Sequence, residues 1–200
     1  ISTLIDVARG RPRDPLGPAE RWRLIAAAGL SSLVFAAIWG VAAGSASTML
    51  AAANALKVPM VVLFSALSAL PAGVLALRLS GSAERPTDLV LAFSAVVFAG
   101  TLVAAVLAPI VAVYYQTSAW AGPYLGMGSV FVSIAVAAAL FFRNALRGIP
   151  SQDQTPRLVP KIVLALVTLA VLPQFIAVAS PILPETTVFD AGVDPVLTLG

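Results

Sequence analysis

The sequence predicts an all-α, polytopic membrane protein with about five membrane-spanning helices. Of its 200 residues, 60% are hydrophobic and only 10% are charged, whereas soluble domains carry about 25% charged residues. The mean hydropathy of +0.98 agrees with this contrast. The apolar residues also fall into separate runs, most of them near the ~20 residues that a helix needs to cross a bilayer. Their even spread predicts a single membrane domain over residues 1–200.

Residues 1–20 precede the first long apolar run and are expected to form an interfacial N-terminal segment. Ile1, Leu4, Ile5 and Ala8 recur at helical spacing, which is typical of a short amphipathic helix. Such a helix lies at the membrane surface with its apolar side in the lipid. The glycines and prolines that follow predict a bent connector.

The first predicted span covers residues 24–43, directly after Arg21 and Arg23, and contains neither a charge nor a proline. With a rise of about 1.5 Å per residue it covers about 30 Å, the thickness of the hydrocarbon core. Small side chains recur at every fourth position on one face, and such faces allow helices to pack closely in lipid. We interpret these residues as candidates for packing within the chain, with a subunit interface as the alternative: Ala28, Ser32, Ala36, Gly40 and Gly44.

Four further apolar runs complete the predicted bundle, at residues 58–77, 89–113, 125–142 and 162–182. A separate interfacial or re-entrant helix is expected over residues 45–56, and residues 183–200 form an external tail. Pro71, Pro109 and Pro173 lie within the runs and are expected to kink their helices. Small residues in the third and fourth spans add four packing candidates: Gly100, Ala104, Ser129 and Ser133.

The basic residues alternate between the two sides of the predicted bundle. In chain order, the segments outside the five spans hold five, one, two, none, four and none, which puts eleven on one side and one on the other. Because basic residues are retained in the cytoplasm, the N-terminus is expected to be cytoplasmic and the C-terminus outside. The preference for arginine and the many alanines favour a bacterial protein, so a bacterial inner membrane is the expected location.

Four inner-face arginines, Arg21, Arg23, Arg143 and Arg147, are candidates for holding anionic lipid headgroups or a partner. Each basic residue near the surface contributes about 1 kcal/mol to lipid attraction. A plain orientation signal explains the same residues without a ligand. The net charge of +3 therefore gives no reason to expect nucleic acid.

The chain has no histidine and no cysteine. Histidine-held haem, iron–sulfur clusters, Cys/His zinc sites, cysteine nucleophiles and Ser-His-Asp triads are therefore excluded. The five predicted spans contain no ionisable residue, which argues against a proton pump or an ion-coupled transporter. Gln174 is interpreted as an interhelical hydrogen-bonding residue. The sequence thus predicts no catalytic residue, no metal and no cofactor.

The layout of the chain between Arg21 and Ile182 resembles that of the bacterial Yip1-like membrane proteins. The shared features are five spans, a short basic N-terminal segment, and a glycine-bearing turn between the second and third spans, LALRLSGSAERPTDLVLAFSAV. The resemblance rests on layout, without a sharp motif. It implies a membrane organiser or adaptor, and it transfers no catalytic residue to this sequence.

The leading functional hypothesis is a non-catalytic accessory or scaffold subunit of a larger membrane complex, in contact with lipids and other integral membrane subunits. It rests on the small-residue faces, the missing catalytic groups and the short connectors. The alternative is a small passive transporter or channel, which the prolines within the spans suggest. A third hypothesis is an intramembrane enzyme acting on lipid through an edge carboxylate such as Asp88.

Overall fold

The computed structural model describes residues 2–9, 17–118, 120–146 and 154–179, and in these ranges it contains helices and no strand. The helices are α1 (Ser2–Ala8), α2 (Pro18–Ala43), α3 (Thr48–Leu79), α4 (Pro86–Thr117), α5 (Ala121–Leu146) and α6 (Gln154–Ala179). Five of them, α2 to α6, are long and apolar enough to cross a membrane. The all-helical class and the number of long apolar helices are therefore confirmed. Arg147 and the predicted tail 183–200 lie outside the described residues.

The five long helices form a ring in which α2 packs on α3 and α4, α3 packs on α6, and α4 packs on α5. A lighter contact between α5 and α6 closes the ring. Within the ring, α2 and α4 run parallel and keep a constant register. Arg21 pairs with Asp88 near the two helix starts, and the Ser45 hydroxyl, just after α2, donates to the Ala112 carbonyl. In each pair the two residues are 67 positions apart in the sequence, so the two helices stay aligned along their length.

Helix α3 is longer than its apolar runs predict, because one continuous helix replaces the expected short helix at 45–56 and the expected span at 58–77. Ser47 caps its start by accepting a hydrogen bond from the Leu50 backbone N–H. Pro59 lies inside the helix without ending it. A proline there costs about 3 kcal/mol, but one buried stripe runs from Asn54 to Leu77 and packs the whole length against neighbouring helices.

The short helix α1 packs against α4, with further contact to α5. Leu4, Val7 and Ala8 are buried on its inner side. Leu4 joins Ala28 and Phe98 in one apolar cluster, so α1 also reaches α2. The Asn144 side chain of α5 donates to the Val7 carbonyl over 3.2 Å, which satisfies a backbone group near the end of α1. The interfacial placement of residues 1–20 stays a prediction.

Two apolar clusters form most of the core, one in each half of the bundle. The first contains Trp39, Val58, Val111 and Tyr115 from α2, α3 and α4. The second joins α3, α4, α5 and α6 through a set that includes Leu77, Leu89, Phe93, Phe141 and Leu164. The half that contains Arg21 and Asp88 is called the charged end below, and the half that contains Trp39 and Tyr115 is called the aromatic end.

Candidate functional site

At the charged end, the described residues include two ion pairs that join segments distant in sequence. Arg21 lies in the first turn of α2, and its Nε is 2.8 Å from Oδ1 of Asp88 in the first turn of α4. The acid is well placed, because the first turn of a helix carries a partial positive charge that favours a carboxylate. The pair therefore fixes the parallel start of α2 and α4.

The second ion pair joins α6 to the connector before α4. Lys161 Nζ is 3.6 Å from Oε2 of Glu84, and the two side chains are only 4% and 14% exposed. Nearby, the Ser80 hydroxyl donates to the Pro156 carbonyl over 3.0 Å. The span predicted at residues 162–182 leaves Lys161 just outside the membrane-spanning helix. In the structure α6 begins at Gln154, which carries Lys161 two turns into a packed helix.

At the aromatic end, α2 and α5 are joined by a chain of hydrogen bonds. The Trp39 indole N–H donates to the Ser129 hydroxyl over 2.8 Å, and that hydroxyl donates to the Gly126 carbonyl over 2.6 Å. Trp39 is 5% exposed, so its ring is packed in the core as well as hydrogen-bonded. Trp39 therefore belongs to the bundle core rather than to its outer surface. Trp120 and Tyr124 remain exposed and contact each other.

Tyr115 of α4 lies against two glycines of α5, one turn apart. A Cβ at Gly122 would come within 2.9 Å of the Tyr115 Cα, and one at Gly126 within 2.7 Å of its hydroxyl oxygen. At Gly122 the opposing atom belongs to the α4 backbone, so glycine is required for α4 and α5 to approach this closely. At Gly126 the end of the Tyr115 side chain would have to shift. The Tyr115 hydroxyl is buried and has no hydrogen-bond partner among the described residues.

The predicted small-residue face of α2 contacts several helices rather than one. Gly40 and Gly44 face α3, where an added Cβ would meet Asn54 and Ala51 backbone atoms at 2.3 and 2.6 Å. Ala28 instead faces Phe98 of α4. The remaining two members, Ser32 and Ala36, are buried. These residues thus lie inside the bundle and leave no continuous surface for a partner.

The candidates on α4 and α5 also lie inside. Gly100 is buried against Ala137 and Ser133 of α5, and Ser129 is buried beside Trp39. Ala104 is half-buried and packs on the cluster at the aromatic end.

The predicted lipid-contacting arginines differ in their surroundings. Arg21 is half-buried and engaged by Asp88. Arg23 and Arg143 are exposed at the charged end. Of the three candidates that the structure describes, Arg23 and Arg143 are thus the two available to a ligand.

Helix α6 is the least covered of the five long helices. After Leu164 none of its described residues is buried. Exposed positions recur every four residues along one face, and we call this set the α6 ridge: Ile162, Leu166, Ala170, Gln174 and Val178. The ridge is apolar except for a single amide.

Gln174 is exposed, and its side chain makes no hydrogen bond within the described part of the chain. The interhelical bond expected from the sequence is therefore not formed inside this bundle. The amide lies deep between the two ends of the bundle. The neighbouring Phe175 contacts the ring of Phe64, which lies midway along α3. About 20 Å of helix separates Gln174 from Lys161.

In the ranges that the structure describes, no three acidic side chains come together as a metal site would require. No protein-family model matches the chain, and no curated protein or solved structure matches it. The resemblance to the Yip1-like proteins therefore stays a prediction. The geometry offers two features of functional interest, which are the ion-paired charged end and the uncovered α6 ridge.

Proposed function

We propose that the chain is a non-catalytic accessory or scaffold subunit that binds another integral membrane protein through the α6 ridge. The observation that carries this proposal is Gln174, an exposed amide on an otherwise apolar helix face. In hydrocarbon an amide without a partner is costly, because no water is present to hydrogen-bond it. A neighbouring protein that supplies a donor or an acceptor at this depth removes that cost.

The low coverage of α6 supports the same conclusion. Leu166 is 61% exposed and Val178 is 85% exposed, although both belong to a helix that packs on α3. Helices in lipid associate through close packing and polar contacts rather than through release of water. The α6 ridge has both an apolar packing surface and one polar group.

The inward side of the bundle favours a scaffold over a passive channel. Its buried positions are mainly alanine, leucine, valine and phenylalanine, whereas a conducting pathway is lined by polar or charged groups. Several buried hydroxyls are also engaged in their own helices. Ser32, Thr101 and Ser133 each donate to a carbonyl three or four residues earlier.

The proposed orientation puts the charged end in the cytoplasm and the C-terminus of α6 outside, in a bacterial inner membrane. The imbalance of basic residues supports it. In this orientation Arg23 and Arg143 are exposed beside the inner leaflet, where anionic headgroups attract them. We therefore assign lipid contact to these two residues, while Arg21 serves the bundle through Asp88.

Site-specific photo-crosslinking in native membranes tests the proposal. A photoreactive residue at Leu166 is expected to give a protein adduct of one defined mass. The matched control is Val106 on α4, which is similarly exposed at 67% and lies outside the ridge. A Gln174→Leu substitution is expected to weaken the Leu166 adduct. Lipid adducts alone at both positions contradict a scaffold that acts through α6.

A further inference from the structure

We infer that the partner on the α6 ridge is a second copy of this chain, with the two α6 helices crossing at Ala170 and the Gln174 amides bonded to each other. This inference rests on the proposed function and names the occupant of the same surface. The spacing of the α6 ridge determines the packing geometry, and the depth and chemistry of Gln174 indicate the partner.

The four-residue spacing of the α6 ridge determines how another helix packs on it. Ridges made of positions i, i+4 and i+8 fit between the same ridges of a second helix at a crossing angle of about −40° to −50°. Such crossings need a small residue where the backbones come closest. Ala170 lies at the centre of the ridge, with the larger Leu166 and Gln174 on either side.

The polar complementarity of Gln174 favours a copy of the same chain. A glutamine amide has both donor N–H groups and an acceptor oxygen, so two of them can bond reciprocally. A second copy with the same orientation in the membrane brings its own Gln174 to the same depth. A partner with a different sequence would need its own polar residue at the depth of Gln174, which lies about 20 Å along α6 from Lys161. Gln174 is one turn from Ala170, where the two helices are still close.

The absence of cysteine from all 200 residues makes disulfide cross-linking a direct test. In an Ala170→Cys variant of the full chain, oxidised in native membranes, the two Cα atoms at the crossing point fall within the roughly 4.4–6.8 Å that a disulfide spans. A covalent dimer is therefore expected. The control is Leu30→Cys, which is 67% exposed near the midpoint of α2 and lies outside the ridge. It is expected to give no dimer.

A Gln174→Leu substitution in the Ala170→Cys background is expected to lower the dimer yield about three- to tenfold, the effect of losing one interhelical polar contact. Gln174→Asn, which keeps an amide, is expected to recover part of the yield. Dimer formation at Ala170→Cys but not at Leu30→Cys, with this dependence on the amide, supports the inference. Equal yields at the two positions overturn it.

The outcomes also separate this inference from the proposed function. Absence of the Ala170→Cys dimer together with a photo-adduct of a different protein at Leu166 overturns the second copy and leaves the scaffold proposal in place. Absence of both products overturns both. The ridge side chains are exposed in the described part of the chain, so these substitutions are expected to leave the packing of the bundle unchanged.

Discussion

A Gly40→Ala substitution tests the packing of α2 on α3, which is one of the helix contacts that form the ring. An ideal Cβ at Gly40 lies 2.3 Å from the Asn54 backbone oxygen and 2.8 Å from the Asn54 carbonyl carbon. Ordinary contacts of a Cβ begin at about 3.4 Å. Since both opposing atoms belong to the α3 backbone, rotation of a side chain does not relieve the clash. The two helices must move apart by about 1 Å, and gaps of this size forfeit a quarter to a half of a contact's attraction.

The magnitude follows from two opposing terms. Forcing extra volume into a packed interface costs about 1–3 kcal/mol, while replacing glycine by alanine inside a helix recovers up to about 1 kcal/mol. Gly29 on the same helix provides the control, because a Cβ there meets nothing within 4 Å. The gain in helix propensity from replacing glycine by alanine is common to both variants. Their difference in free energy of unfolding therefore isolates the steric cost, which we expect to be about 1–3 kcal/mol.

Titration with SDS from mixed micelles, followed by circular dichroism, measures this difference. Gly40→Ala is expected to unfold at a lower SDS fraction than the wild-type chain. Gly29→Ala is expected to unfold at the same or a higher fraction. If the two variants unfold together, α2 and α3 do not approach as closely as Gly40 and Asn54 indicate, and the packing described for this seam is wrong.

Three further substitutions test the polar contacts by the same titration. Lys161→Met leaves the Glu84 carboxylate partly buried without its cation and is expected to lower the free energy of unfolding by about 2–3 kcal/mol. Adding Glu84→Gln is expected to recover stability, and equal stability of the single and double variants contradicts the ion pair. Trp39→Phe removes the donor to Ser129 and is expected to cost about 1–2 kcal/mol, and a Ser129→Ala double-mutant cycle should show coupling of about 0.6 kcal/mol or more. Tyr115→Phe removes a buried hydroxyl that has no partner among the described residues, so stability is expected to stay within about 0.5 kcal/mol or to rise; a loss of more than about 1 kcal/mol would show that the hydroxyl is hydrogen-bonded.

The fold class was predictable because length and hydropathy alone identify helices that can cross a bilayer. The positions of α2, α4 and α5 follow closely from their apolar runs. The continuous course of α3 was not predictable. Lys57 and Pro59 have the local signature of a boundary, and only the buried stripe from Asn54 to Leu77 shows that packing overrides it.

The candidate site was predictable only in part. Four-residue spacing identified small residues such as Gly40 that are now seen inside the bundle. The same spacing on α6 carried no special signal, because whether Gln174 faces inward or outward depends on how α6 packs on α3. The pair of Lys161 and Glu84 was missed for a similar reason. The two residues are far apart in sequence, and local composition does not show that their helices meet.

The most direct test of a scaffold acting through α6 is the mass of the particle that contains this chain when native membranes are solubilised as polymer-bounded lipid discs. The expected particle holds at least two protein chains, and the Gln174→Leu variant is expected to shift a measurable fraction to a single chain. Discs that hold one copy of this chain and no other protein, for both the wild type and the variant, would contradict the proposed function.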